Sequence, residues 1–449
     1  MRHLYSKPKT IYFAALAAAL TVFGACHDGF EPEPPSARNG LLPLAGAFNA
    51  RDLGQSGLVG AGGRAIRPGV IVRSGELSML TPRDVDFLFG DGGMGIRTVV
   101  DLRSTLSPVN HVNTPFTFAM PPAHHNPAAI AFSLGRSERE NAPSRLPGHV
   151  QVWDRDNARP STGIRDYEIV IDYFEVIQGT ADFPNPAAVV HQMALNYATF
   201  IQSDAAAVAF GSFFEALLYA NGTPLLFHCS AGKDRAGMAS MLLLMALGVD
   251  RHSIVHNFML SREFVQRRFH PVVPFIVQDV QRNMIIQRAG AQQLLILHDE
   301  TPGGAGEMPA RAALAHSVTP GLMAAIIEDR VNNHGESLFT AREYALANMP
   351  TPAAVNAAID ETLLNMRWLA LRSDQYLANF ARDAGEKIRP LLSVYPQWIE
   401  FAIDAIRDMH PGGNPTNDEA IEYYLVNHLN LPADIMTQLR RLFLVGYTG

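Results

Sequence analysis

Two cysteines and four lysines are all that 449 residues hold of either type. So few cysteines exclude a disulfide scaffold and a zinc site built from several thiolates. Charge is sparse as well: Asp, Glu, Lys and Arg make up 18% of the chain, with a net charge of −7. A mildly acidic balance leaves no electrostatic footprint for nucleic acid, which is not expected as a partner. There is no internal repeat and no long low-complexity tract. What is abundant is apolar: 47% of residues are hydrophobic, enough for a sizeable core and against disorder. Basic positions are nearly all arginine, 32 of them against Lys7, Lys9, Lys233 and Lys387.

The head of the chain reads as an address. Arg2, Lys7 and Lys9 precede Ile11–Ala25, fifteen residues without a charge. A basic segment before a short apolar one is the pattern of an export signal, and fifteen residues fall short of the ~20 that cross a bilayer as a helix. Val22-Phe23-Gly24-Ala25-Cys26 resembles the cleavage box of bacterial lipoproteins, with Phe23 departing from its usual Leu or Val. Residues 1–25 are expected to be a signal peptide, Cys26 a lipidated N-terminus, and 26–43, with Glu31-Pro32-Glu33-Pro34-Pro35, an extended tether. The localisation this implies is a cell-envelope membrane, or otherwise the periplasm or the medium.

Residues 44–449 are expected to form one elaborated domain. Gly69–Arg73 and Arg97–Leu102 are β-branched strand candidates, and Pro224–Phe227 is a third. Thr81-Pro82-Arg83-Asp84 is a helix start, with Thr as cap and Pro at the first helical position. Ala205–Ala220 carries apolar residues at helical spacing and stops at Asn221-Gly222. Ala236–Leu247 is almost wholly apolar, hence a buried helix. Strand, helix, strand, helix in this order predicts an α/β sheet with crossovers. Pro115–Asn185 reads as irregular. From Ser261 onward the pattern is helical, with Thr319, Thr340, Thr351 and Thr416 as expected caps and Gly303–Gly306 as a break.

Chemistry concentrates in His228-Cys229-Ser230-Ala231-Gly232-Lys233-Asp234-Arg235-Ala236-Gly237. This run joins an apolar strand to the buried helix, so its amides face an anion at the positive end of a helix dipole. Cys229 and Arg235 stand five residues apart. A helix N-terminus and nearby cations favour a nucleophilic thiolate. An arginine offers a planar fork for two phosphoryl oxygens, and the amides of Ser230, Ala231, Gly232 and Lys233 can surround the rest. The spacing alone is a weak signal; its position between strand and buried helix is the specific one. A merely structural buried cysteine would not need Lys, Asp and Arg after it.

The run resembles the cysteine-dependent phosphatases, and among them the bacterial tyrosine phosphatases with the loop H-C-x-x-G-K-D-R-T-G. Asn49-Ala50-Arg51-Asp52-Leu53-Gly54, Arg73-Ser74-Gly75 with Leu77, and Asp101-Leu102-Arg103-Ser104 look like further landmarks of that family. So do Tyr423-Tyr424-Leu425 and Leu439-Arg440. The resemblance covers about 49–103, 196–261 and 395–443, leaving expansions at about 105–190 and 262–390.

The resemblance implies a cysteine-phosphatase-like central sheet flanked by helices, with large, mostly helical insertions. It also implies phosphomonoester hydrolysis through a cysteinyl-phosphate intermediate. The implied substrate is a phosphorylated protein, phosphotyrosine first, or else a phospholipid headgroup or inositol phosphate. Cys229 would be the nucleophile, Arg235 the phosphate clamp and Asp234 the general acid. Asp101 is the alternative acid, unless it serves Arg103 or Arg51 as an ion-pair partner. The cations beside Asp234 are expected to lower its pKa, against an acid role. His228 would support the loop. Lys233, a lysine in a chain that uses arginine elsewhere, could meet a second phosphate.

The family has Thr or Ser where this chain has Ala236, a hydroxyl thought to help the thiolate depart. Its absence points to slow turnover, or to a phospho-binding protein that hydrolyses poorly. No cofactor and no metal are expected. His252 and His256 share a helix face, but they lack an adjacent Glu and a third ligand.

Overall fold

The computed structural model describes residues 39–103, 146–147, 151–153, 183–299 and 338–449, with isolated helical positions at 311, 315, 322, 323, 326 and 330. Cys26, the signal and most of the tether lie outside the described residues, as do Thr319 and Gly303–Gly306.

The central sheet has five strands: β1 (Arg51–Asp52), β2 (Ile71–Ser74), β3 (Thr98–Asp101), β4 (Gln151–Trp153) and β5 (Leu225–His228). Their spatial order is β1-β2-β5-β3-β4, with β1 antiparallel to β2 and the other neighbours parallel. The expected strands are therefore present, shifted by a residue or two at their ends, in a mixed α/β sheet.

Both faces of the sheet are covered, so its strands read as apolar runs rather than alternating ones. Ile71, Val100, Leu225 and Phe227 join the larger core, while Val72, Val99 and Leu226 join a smaller one with Leu88 and Phe89. That smaller core is closed by α1 (Pro82–Phe89), which starts with the expected capping box between Thr81 and Asp84.

The larger core is built by α2 (Pro186–Ile201), α3 (Asp204–Ala220), α4 (Arg235–Ala246) and α5 (Arg251–Met259), and by the C-terminal helices. Every residue of α4 is buried, which is why its sequence carries almost no polar side chain. The remaining helices are α6 (Ser261–Phe269), α7 (Val273–Asp299), α8 (Leu338–Ala347), α9 (Pro352–Ala370), α10 (Asp374–Ile388), α11 (Pro396–Met409), α12 (Asn417–Tyr423) and α13 (Ile435–Phe443). None of the described helices is long and apolar enough to cross a membrane.

Three expectations need correction. The segment read as irregular contributes β4, whose three residues pair with Thr98–Val100. So short a strand has no periodicity to detect, and its partner lies some fifty residues away. Helix α2 begins inside what was read as an expansion, capped by Asn185, whose side chain accepts from the Ala188 amide at 3.0 Å. Thr340 sits within α8 and does not cap it, whereas Thr351 and Thr416 do cap their helices.

Candidate active site

Parallel register brings the separate motifs together. Ser74, His228 and Asp101 lie side by side at the carboxyl ends of β2, β5 and β3. This is the edge where open α/β sheets bind ligands. The chain leaves β5 through Cys229–Asp234 and enters α4 at Arg235.

The loop packs backbone to backbone on the Arg73-Ser74-Gly75 turn. Gly232 is left-handed at φ +66°, and a Cβ there would stand 2.6 Å from the Gly75 nitrogen and 2.7 Å from the Ser74 carbonyl carbon. Only glycine meets both demands. The Glu76 amide donates to the Ser230 carbonyl at 3.0 Å, tying the two turns together.

Cys229 is a free thiol, 1% exposed, at the start of this loop. Arg235 is buried at the other end; its Nη1 donates to the Leu102 carbonyl and its Nη2 to Ser230 Oγ, each at 3.2 Å. Asp101 is held in a buried fork: Arg103 Nε donates to its Oδ1 at 3.0 Å and Nη2 to its Oδ2 at 2.8 Å. The ion-pair alternative for Asp101 is therefore what the structure contains, and a carboxylate so bound is poorly placed to carry a proton. His228 is fully buried, its Nδ1 3.3 Å from the Cys229 carbonyl and its Nε2 3.7 Å from Asp101 Oδ2.

Asp234 occupies the cap position of α4 but makes no capping bond. Its Oδ1 instead accepts from the Tyr197 hydroxyl at 2.5 Å. Burial pushes its pKa up to about 8, against the opposing pull of Arg235 and Arg73. Flanking cations were expected to dominate; removal from water outweighs them. Tyr197, on α2, is itself driven well above the ordinary phenol range by burial. It packs against Trp398 and Phe258.

Lys233 differs from the expectation of a mobile ammonium. It is 3% exposed, and its Nζ donates to the carbonyls of Leu391 and, at 3.1 Å, Ser393. It also lies 5.4 Å from the centroid of the Trp398 ring. Burial lowers its pKa to about 7, partly offset by the Cys229 charge. A second substrate phosphate could engage this ammonium only by breaking those contacts.

Beneath the loop lies a polar layer that sequence reading registered only as landmarks. Asn49 Nδ2 donates to the Gly232 carbonyl at 2.9 Å and to Ser261 Oγ at 3.2 Å. Arg51 donates to the Asn257 carbonyl at 3.0 Å and to Ser261 Oγ at 2.9 Å. Arg73 Nη2 donates to the Gly232 carbonyl at 2.7 Å, and its Nη1 lies 3.4 Å from Asn257 Oδ1. Asn257, Tyr197 and Trp398 are not singled out by the sequence, and Ser261 only as the start of the helical pattern. The available signal was a single polar tip on an otherwise apolar helix face, as at Tyr197 among Met193, Ala194 and Ile201.

Among the described residues no group of three or more His, Cys, Asp or Glu could hold a metal ion. The arrangement can bind a tetrahedral anion against loop amides and Arg235, with a thiol at the base of the loop.

The chain matches the model of the tyrosine phosphatase family over residues 42–365. That range includes the loop and the motifs at 49–54, 73–77 and 101–104. It also runs through the segments read as expansions as far as 365, and it stops before the C-terminal helices. A protein of Cupriavidus necator whose name assigns it to the tyrosine-protein phosphatases is 31% identical over 216 residues, 48% of this chain and 60% of that protein. The triple specificity protein phosphatase PtpB of Mycobacterium tuberculosis is 27% identical over 232 residues, 49% of this chain and 69% of that protein. A tyrosine-protein phosphatase of Nostoc commune is 48% identical over 42 residues, 9% of this chain and 14% of that protein. The family match takes in most of the chain, with the loop and its supporting turns inside it: the chain belongs to the tyrosine phosphatase family.

Proposed function

We propose that the protein hydrolyses phosphomonoesters through a cysteinyl-phosphate intermediate, acting as a protein tyrosine or dual-specificity phosphatase. The observation that carries this reading is Cys229, a free buried thiol joined by one short loop to Arg235 at the start of a wholly buried helix. The Cys229 thiolate attacks phosphorus in line with the ester oxygen. An S–P bond forms as the P–O bond breaks, while loop amides and Arg235 hold the three equatorial oxygens. The departing oxygen takes the proton of Asp234, which burial keeps protonated at neutral pH. Water then attacks phosphorus, returns a proton to Asp234, and the thiolate leaves. His228 and the Asp101–Arg103 pair support the loop and do not transfer protons.

Among substrates we favour a monophosphorylated protein over a polyphosphorylated headgroup, because the Lys233 ammonium is engaged with Leu391 and Ser393. Ala236 supports a second reading, a phospho-binding protein that is phosphorylated once and released slowly. We also propose that Cys26 carries a lipid anchor, on the basis of the signal and cleavage pattern before it.

The test is hydrolysis of p-nitrophenyl phosphate in EDTA, with inhibition by vanadate. Steady-state hydrolysis supports the phosphatase; a single burst equivalent supports the phospho-binding protein. Activity persisting in Cys229→Ser would overturn the nucleophile assignment.

A further inference from the structure

We propose that Arg73, together with Asn49, is a positioning residue that aims the Lys233 amide at the bound phosphoryl group; this rests on the phosphate-loop reading above.

The Gly232 carbonyl accepts two hydrogen bonds from below, at 2.9 Å from Asn49 and 2.7 Å from Arg73. No peptide bond in the described chain is cis. In a trans peptide the C=O and the following N–H point in opposite directions. A carbonyl drawn down toward Arg73 therefore turns the Lys233 N–H up, to the face where the anion binds. Gly232 is left-handed, and the amides around such a residue form an anion-binding concavity. A peptide beside glycine can flip easily unless something holds it, and here two buried donors do. Flipping it would leave both without their acceptor.

The choice of arginine follows from the same geometry. One arm of the Arg73 fork meets Gly232 and the other faces Asn257 Oδ1. A lysine would reach only one of them. Arg51 and Arg73 are each fully buried, and among the described residues no carboxylate forms a salt bridge with either. Two buried cations without an acid partner are costly to hold. Burial lowers the Arg73 pKa to about 10, and the charge that most offsets this belongs to the site itself, at Cys229. Arg73 thus orients one amide and adds positive potential under the thiolate and the phosphoryl group. The Arg73-Ser74-Gly75 and Asn49–Gly54 motifs, though remote in sequence, become parts of the anion site.

The experiment measures vanadate and inorganic phosphate binding by calorimetry in Arg73→Met, Arg73→Lys and Asn49→Gly, with thermal melts in parallel. Glycine at position 49 keeps the positive φ of 56° that Asn49 adopts. Removing a whole oxyanion donor costs ~10²–10³ in rate, so misaiming one should weaken vanadate by about tenfold. Phosphate, a poorer mimic of the transition state, should weaken less, and Arg73→Lys should recover part of the loss. A purely structural role would lower the melting temperature and leave both Kd values of the folded protein unchanged. That result in Arg73→Met overturns the proposal. If Arg73→Met does not fold, wild-type Kd values in both Arg73→Lys and Asn49→Gly overturn it equally. A wild-type protein that binds both anions without hydrolysis refutes the phosphatase while the binding comparison still decides the role of Arg73. A wild-type protein that binds neither refutes both.

Discussion

Replacing Asp234 by asparagine should change how stability depends on pH, with the sign set by burial. The carboxyl moves from an ordinary 3.8 to about 8 on folding, with desolvation as the largest cause. A group whose folded pKa is raised contributes stability that is full below the unfolded value and is lost as pH rises through the folded one. At ~1.36 kcal/mol per pH unit, the whole span amounts to roughly 6 kcal/mol, an upper bound that solvent relaxation reduces. Asparagine keeps an oxygen for the Tyr197 hydroxyl and cannot ionise. Wild-type stability should therefore fall relative to Asp234→Asn by up to ~1.4 kcal/mol per pH unit from about pH 4 to 8 and run parallel above. Lys233 works in the opposite sense, since its folded value is lowered from 10.5 to about 7. Its contribution is full above the unfolded value and lost as pH falls through the folded one. Its Nζ lies 3.8 Å from Asp234 Oδ1, so the two groups titrate together and the difference between the proteins reports the pair. Urea unfolding of the two proteins across about pH 5 to 9 measures the effect. The activity arm is independent: the alkaline limb of kcat/KM near pH 8 should vanish in the variant, with kcat lower by ~10²–10⁴ for poor leaving groups. Parallel stability curves over the whole range would refute the claim that burial outweighs the neighbouring cations.

Two further outcomes follow. Ala236 is fully buried in the first turn of α4, and Ala236→Thr should raise steady-state turnover with the burst unchanged if departure of the thiolate limits the rate; equal steady-state rates in the two proteins would exclude that limit. Cys26→Ser, expressed in a Gram-negative host, should move the protein from the membrane to the soluble fraction, and unchanged partition would refute the anchor.

Several features are legible in the sequence because they are local. The Thr81 capping box, the Asn221 stop and the apolar length of α4 each depend on residues a few positions apart. The loop between strand and buried helix is equally local, so Cys229, Asp234 and Arg235 could be singled out together. Strand β4 and the true extent of α2 were not legible. A three-residue strand has no period, and α2 sits where the neighbouring sequence reads as irregular.

Nothing local reveals what surrounds the loop. Whether Asp234 feels its cationic neighbours or its lack of water depends on how deeply Tyr197, Trp398 and the sheet enclose it. Those groups come from segments far apart in the chain. The same holds for Lys233. Its scarcity as a residue type made it conspicuous, yet its ammonium meets the carbonyls of Leu391 and Ser393 because a distant helical connection packs over the loop. The sequence by itself determined the α/β order and a strand-to-helix loop that carries a thiol, a carboxyl and a guanidinium, because bonded neighbours specify them. Tertiary structure alone decided which of these groups are dry, which are already bonded and which way the Gly232 peptide faces. Desolvation and hydrogen-bond direction are properties of packed space, and a linear pattern does not encode them one residue at a time.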